Sequence, residues 1–102
     1  MGKLTEAAGK HKHVKAVFEI GELSFDLLVK IFPQSEYIKI AESMAEHTDE
    51  ENAVKIAAWF LDADTKEPAV TATELLSEEW SNHDLSKLMN LWKNVNNGIE
   101  GN

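Results

Sequence analysis

The 102-residue chain contains no cysteine, so neither disulfide staples nor thiolate metal sites hold it together. It contains no arginine either: all ten basic residues are lysines. A nucleic-acid binder without a guanidinium forgoes the bidentate guanine contact and most phosphate forks, which argues against direct recognition of DNA or RNA. Long apolar runs are also missing. The longest, Ile56 to Leu61, is six residues, against roughly 20 for a helix that crosses a bilayer. The five glycines stand apart at positions 2, 9, 21, 98 and 101, which leaves no glycine-rich phosphate loop, and no serine lies in a Gly-x-Ser-x-Gly setting. Met1-Gly2-Lys3 leads into no apolar segment of the kind that opens a secretion signal, and Gly2 is not followed by the serine or threonine that myristoylation prefers. The expectation is a cytoplasmic protein without membrane span or lipid anchor.

What is present is acid. The chain has 18 Asp and Glu against ten Lys, a net charge of −8. The first fifteen residues carry Lys3, Lys10, Lys12 and Lys15 against Glu6, a net of +3, which leaves −11 for the remainder. A basic leader thus precedes an acidic body, either as a solvated tail or as an arm that touches an acidic partner. Residues 1–13 show no apolar periodicity and contain Gly9, so they read as a flexible basic tail with a short helical piece from Leu4 to Ala8.

From Val14 the apolar period becomes two. Ala16, Phe18 and Ile20 alternate with Val17 and Glu19, and after Gly21-Glu22 the residues Leu23, Phe25 and Leu27 alternate with Ser24 and Asp26. Glycine first in a two-residue loop is the signature of a type II′ hairpin turn. Closure there sets Ile20 opposite Leu23, Phe18 opposite Phe25 and Ala16 opposite Leu27 on one face, whereas a one-residue slip puts Phe18 against Ser24 or Asp26. A two-stranded ribbon is marginal in water, so its apolar face needs a cover.

The rest of the chain supplies helices for that cover. Pro33 suits a first helical turn, and Tyr37, Ile38, Ala41, Met44 and Ala45 follow at helical spacing to about Glu46. Thr48-Asp49-Glu50-Glu51 reads as a capping box that opens a central buried helix through Ala53, Val54, Ile56, Ala57, Ala58, Phe60 and Leu61, with Trp59 as core. The acidic segment Asp62 to Pro68 ends that helix. Thr71 to Glu74 is a further capping box for a short helix through Leu75 and Leu76, and Ser81-Asn82-His83-Asp84 starts the last helix. There Leu85, Leu88, Met89, Trp92 and Val95 form one apolar stripe that stops at Asn97-Gly98. The fold class is therefore α+β and mostly α: an N-terminal two-stranded β-hairpin packed on three to four α-helices. Residues 14–98 form a single domain, and residues 99–102 a frayed C-terminus.

Candidate chemistry is thin. Asp62, Asp64 and Glu67 suggest a calcium loop, but the EF-hand spacing asks for glycine where Glu67 stands and glutamate where Thr73 stands. Turn-forming aspartates account for the same residues. His11 and His13 lack a further fixed ligand, and His83 sits at a helix start. No catalytic residue, cofactor or metal is expected. The tryptophans and the last-helix stripe admit two readings, intramolecular core or a contact face. A small domain has room to bury about one of Trp80 and Trp92 fully.

The order of elements resembles the tail assembly chaperones of long-tailed bacteriophages. The residues that carry the likeness are Phe60-Leu61-Asp62-Ala63-Asp64 with Pro68, then Thr73-Glu74-Leu75, then Leu85 to Val95 closing on Asn97-Gly98, together with the hairpin Val17 to Leu27. The likeness spans about residues 14–98. It departs from the family's usual pattern in the acidic turn, where Lys66 stands in place of glycine. The resemblance implies a non-enzymatic protein of the host bacterial cytoplasm, absent from the mature virion, that binds the tape measure and tail tube proteins during tail assembly. A long helical tape measure exposes apolar seams until the tube surrounds it, and an acidic protein with an apolar groove can cover them. Leu85, Leu88, Met89 and Trp92, with Phe18 and Phe25 of the hairpin, are then the expected partner-binding surface or an oligomer interface. Two other classes stay open: an acidic inhibitor that mimics nucleic acid, and a generic homo-oligomeric adaptor.

Overall fold

The computed structural model describes residues 2–44 and 50–98. In chain order its elements are α1 (Lys3–Lys10), β1 (His13–Ile20), β2 (Leu23–Lys30), α2 (Gln34–Ser43), α3 (Glu50–Ala58), β3 (Phe60–Asp62), α4 (Ala72–Leu75) and α5 (Asn82–Asn96). The fold is mixed α+β, and its sheet is antiparallel in the order β1-β2-β3.

Gly21 starts the hairpin turn at φ +60°, and Glu22 does not share that positive φ, which distinguishes type II′ from type I′. The register pairs Ile20 with Leu23, Phe18 with Phe25 and Ala16 with Leu27. The hairpin is not a lone ribbon, however. Phe60–Asp62, which the apolar run suggests as a helix end, is a third strand against Leu27–Val29. A run of six apolar residues has no period that separates buried helix from buried strand. Here the open edge of β2 decides the matter, because its backbone groups need partners: the amide of Lys30 donates to the Trp59 carbonyl at 2.8 Å and that of Ala63 to the Asp26 carbonyl at 3.1 Å. Two rows of side chains then cross the sheet on its core face, Val14–Val29–Phe60 and Ala16–Leu27–Asp62.

The acidic segment turns β3 back on itself. Asp62 accepts the amides of Asp64 and Thr65 on its Oδ1 at 2.8 and 3.0 Å, and the returning chain bonds Asp62 N–H to the Glu67 carbonyl at 2.8 Å and Ala69 N–H to the Phe60 carbonyl at 3.1 Å. Lys66, a non-glycine residue, takes the left-handed conformation at φ +63°.

The helices cover the core face of the sheet. α5 lies against β1 and β2 and buries Leu88, Leu91, Trp92 and Val95. Trp92 stacks on Trp59 at 4.1 Å between centroids with 12° between planes, Phe32 meets both indoles edge-on at 6.0 and 6.1 Å, and Tyr37 closes on Trp92 at 4.9 Å. The Asn96 side chain ties α5 to the end of β2: it accepts from the Phe32 amide at 2.9 Å and donates to the carbonyls of Lys30 at 3.1 Å and Trp92 at 3.0 Å.

α3 is amphipathic rather than buried all round, with Ala53, Ile56 and Ala57 inside and Val54 exposed. The capping box at Thr48–Glu51 and the expected end of α2 near Glu46 lie outside the described residues. Pro33 precedes α2 as its N-cap, and the face turned to the core is Tyr37, Ile40, Ala41 and Met44, with Ile38 outward. α4 opens on the expected box: the Thr71 hydroxyl accepts from Glu74 N–H at 3.2 Å, and the Glu74 carboxylate accepts from Thr71 N–H at 2.9 Å. Ser81 caps α5 through the Asp84 amide at 3.0 Å, and Gly98 follows its end at φ +77°. α1 is longer than its expected Leu4–Ala8 core and buries no residue.

Candidate contact site

The fold leaves one end of the hairpin uncovered for a reason in its topology. β3 has three residues against eight in β2, and it turns away at Asp62, opposite Leu27. Phe25 therefore has Phe18 of β1 on one side and no strand on the other. It is 44% exposed although it points to the core face, and Leu23, two residues nearer the tip, is 64% exposed.

Beside these residues is a cleft of about 270 Å³. Ile20 and Phe25 of the hairpin form one wall, Val70 and Trp80 another, and Phe18 and Leu88 contribute buried surface to it. Trp80 lies parallel to Phe18 at 6.4 Å with 15° between planes and remains half-buried. The volume is below the roughly 300–1,000 Å³ of small-molecule sites, so the cleft suits one or two inserted side chains. Among the described residues Asp62 is the one charged residue in its lining; Glu22 follows Ile20 by two positions in the sequence, and Glu78 and Glu79 immediately precede Trp80. The amides of Thr65 and then Asp64 hold the Asp62 carboxyl below the usual aspartate range, which keeps it anionic.

The six residues expected at a contact surface separate into three groups. Trp92, Leu88 and Phe18 are core, 0%, 2% and 5% exposed: Trp92 is fully enclosed and apart from the cleft, whereas Leu88 and Phe18 show only the little surface that lines it. Leu85 and Met89 are half-buried at the margin of the core. Phe25 alone is openly exposed, and with it at the site stand Leu23 and Ile20, which the sequence reads only as hairpin face-mates, and Trp80, which it leaves open between core and contact face. The stripe reading also misses Leu91, which is buried between Leu88 and Val95 on α5. Leu23 was legible as a face-mate of Phe25, but its exposure depends on the length of β3.

Among the described residues no three His, Asp or Glu side chains converge on a point that would hold a metal ion, and no helix is long and apolar enough to cross a membrane. No protein-family model, curated protein or solved structure matches the chain.

Proposed function

We propose that the protein works by contact, as a tail assembly chaperone that binds tape measure and tail tube proteins of a long-tailed bacteriophage in the host cytoplasm. The observation that carries this reading is the exposure of Phe25 and Leu23 beside an apolar cleft in a strongly acidic chain. Large side chains on the core face of a sheet are normally covered, and an uncovered group next to a cleft is a place for another chain to insert. Asp62 in its lining and the net charge of −8 favour an apolar segment flanked by lysine or arginine, which the protein keeps soluble through its own charge. The partner-binding set that the geometry supports is Phe25, Leu23, Ile20 and Trp80, with Phe18 and Leu88 beneath them.

The test is co-expression with a tape measure segment and a tail tube protein, followed by capture of the complex. Phe25→Asp, with Leu23→Ser as a second variant, is expected to abolish capture while the thermal unfolding midpoint stays within a few degrees of the parent. Undiminished capture by both variants overturns the site, and no capture by the parent protein overturns the chaperone reading.

A further inference from the structure

The sheet has two edges, and they are treated differently. Beyond β3 the chain doubles back, with the returning segment bonded to Phe60 and Asp62 and Pro68 standing opposite Leu61. Proline has no N–H to offer, so that edge is sealed. The other edge is β1, eight residues with no proline, no glycine and an unbroken register. In an antiparallel pair alternate residues bond inward, and Lys12, whose carbonyl accepts from the Ile31 amide at 2.9 Å, places the even-numbered residues on the β2 side. The amides and carbonyls of His13, Lys15, Val17 and Glu19 therefore point outward. Among the described residues one of these groups is engaged, the Glu19 carbonyl, which accepts from Lys87 Nζ at 2.7 Å. A carbonyl has two lone pairs, so this ammonium does not by itself close the position.

We propose that β1 is the interface of a homodimer, two copies pairing antiparallel along it about a two-fold axis at Val17, so that the two sheets become one. The occupant follows from the side chains that flank the axis. With the axis at Val17, Lys15 meets the partner's Glu19, and Glu19 meets the partner's Lys15, on the solvent face of the joined sheet. All four of these residues present outward backbone groups, so the hydrogen-bond ladder and the charge pairs share one register. An axis at Lys15 sets that lysine against its own copy, and an axis at Glu19 does the same for the glutamate; like charges directly opposite are unfavourable. Axes at Ala16 or Phe18 leave Lys15 without a carboxylate opposite. Charged residues often blunt a sheet edge, but lysine and glutamate disposed evenly about a central Val17, itself 43% exposed, are complementary to themselves. The interface is separate from the cleft at Phe25, and it stands whether or not the chaperone reading does.

Sedimentation analysis of the full chain across micromolar to millimolar concentrations is expected to show a reversible monomer–dimer equilibrium. Lys15→Glu converts both symmetric pairs to repulsions and is expected to weaken association by about tenfold or more, and adding Glu19→Lys to it to restore most of the loss. Because the protein lacks cysteine, Val17→Cys introduces a single thiol at the axis, where paired strands bring Cα atoms to about 5.5 Å, within disulfide range. It is expected to cross-link on mild oxidation, and Asp26→Cys, one strand inward, is not. A monomer at every concentration overturns the proposal, as does a dimer that is indifferent to Lys15→Glu or that cross-links as readily through Asp26→Cys.

Discussion

Trp59 and Trp92, 33 positions apart in the chain, lie face to face at 4.1 Å and join the end of α3 to the middle of α5. Trp92 is fully enclosed, and among the described residues no acceptor meets its indole N–H. The pair therefore combines a large apolar burial with one unsatisfied donor, and the two effects can be separated by substitution.

Trp92→Ala removes the packing and is expected to cost about 3–5 kcal/mol, which for a domain of this size approaches the whole folding free energy. Trp92→Phe deletes the orphan N–H, whose burial costs about 1–3 kcal/mol, and retains much of the ring volume, so its net penalty is expected to be less than half as large. Urea titration of both variants checks this ordering; equal losses would show that the indole N–H finds an acceptor in solution.

Asn96 holds the end of β2 through two backbone positions at once, the Phe32 amide and the Lys30 carbonyl. Asn96→Leu leaves both without that partner and is expected to destabilise by about 2–3 kcal/mol. Asn96→Asp keeps an acceptor for Phe32 but loses the donor to Lys30 and Trp92 and sets an anion against two carbonyl oxygens. Its stability is expected to fall further as pH rises through the ionisation of the new carboxyl, and comparative unfolding at acid and neutral pH reads this directly.

Lys66 and Gly21 both have φ near +60°, one with a side chain and one without. The left-handed region costs an L-residue roughly 1–2 kcal/mol, partly offset in glycine by its greater unfolded-state entropy. Lys66→Gly is therefore expected to raise stability by about 0.5–1 kcal/mol, and Gly21→Ala to lower it by about 1 kcal/mol or more. Opposite shifts in thermal midpoint check the pair.

Asp62 gives the turn a pH dependence. Its carboxylate accepts the Thr65 and Asp64 amides, which lowers its folded pKa below the ordinary aspartate value. A lowered folded value means a stabilising contribution that is complete above the ordinary pKa and is lost as pH falls through the folded one. Asp62→Asn keeps an oxygen acceptor without the charge, so the parent's advantage over it is expected at neutral pH and to vanish on acidification below the usual aspartate range. A constant difference at all pH values would exclude the linkage.

Much of the chain's punctuation was legible because its causes are local. Thr71 with Glu74, Ser81 with Asp84, Gly98 after α5 and Gly21 at the hairpin each act within four residues of the backbone they satisfy or free, and the hairpin register follows from the alternation of Ala16, Phe18 and Ile20 with Leu23, Phe25 and Leu27. Phe60 to Asp62 was not legible as strand, since six consecutive apolar residues fit a buried helix equally well. The candidate site suffered from the same ambiguity. With β3 read as helix, no reason existed for the far end of β2 to be bare, and the apolar stripe of α5 looked as available as Phe25.

By itself the sequence determined where α4 and α5 begin and where α5 stops, which hairpin residues face each other, and that the chain is acidic and free of thiols and guanidinium groups. Only the tertiary structure decided which apolar side chains are enclosed: Trp92 and Leu88 inside, Phe25 and Leu23 outside. Enclosure depends on what another part of the chain brings alongside. Here that is a third strand that ends at Asp62 and an α5 that reaches Phe18 but leaves Phe25 beyond its cover, and neither length is written in the residues being covered.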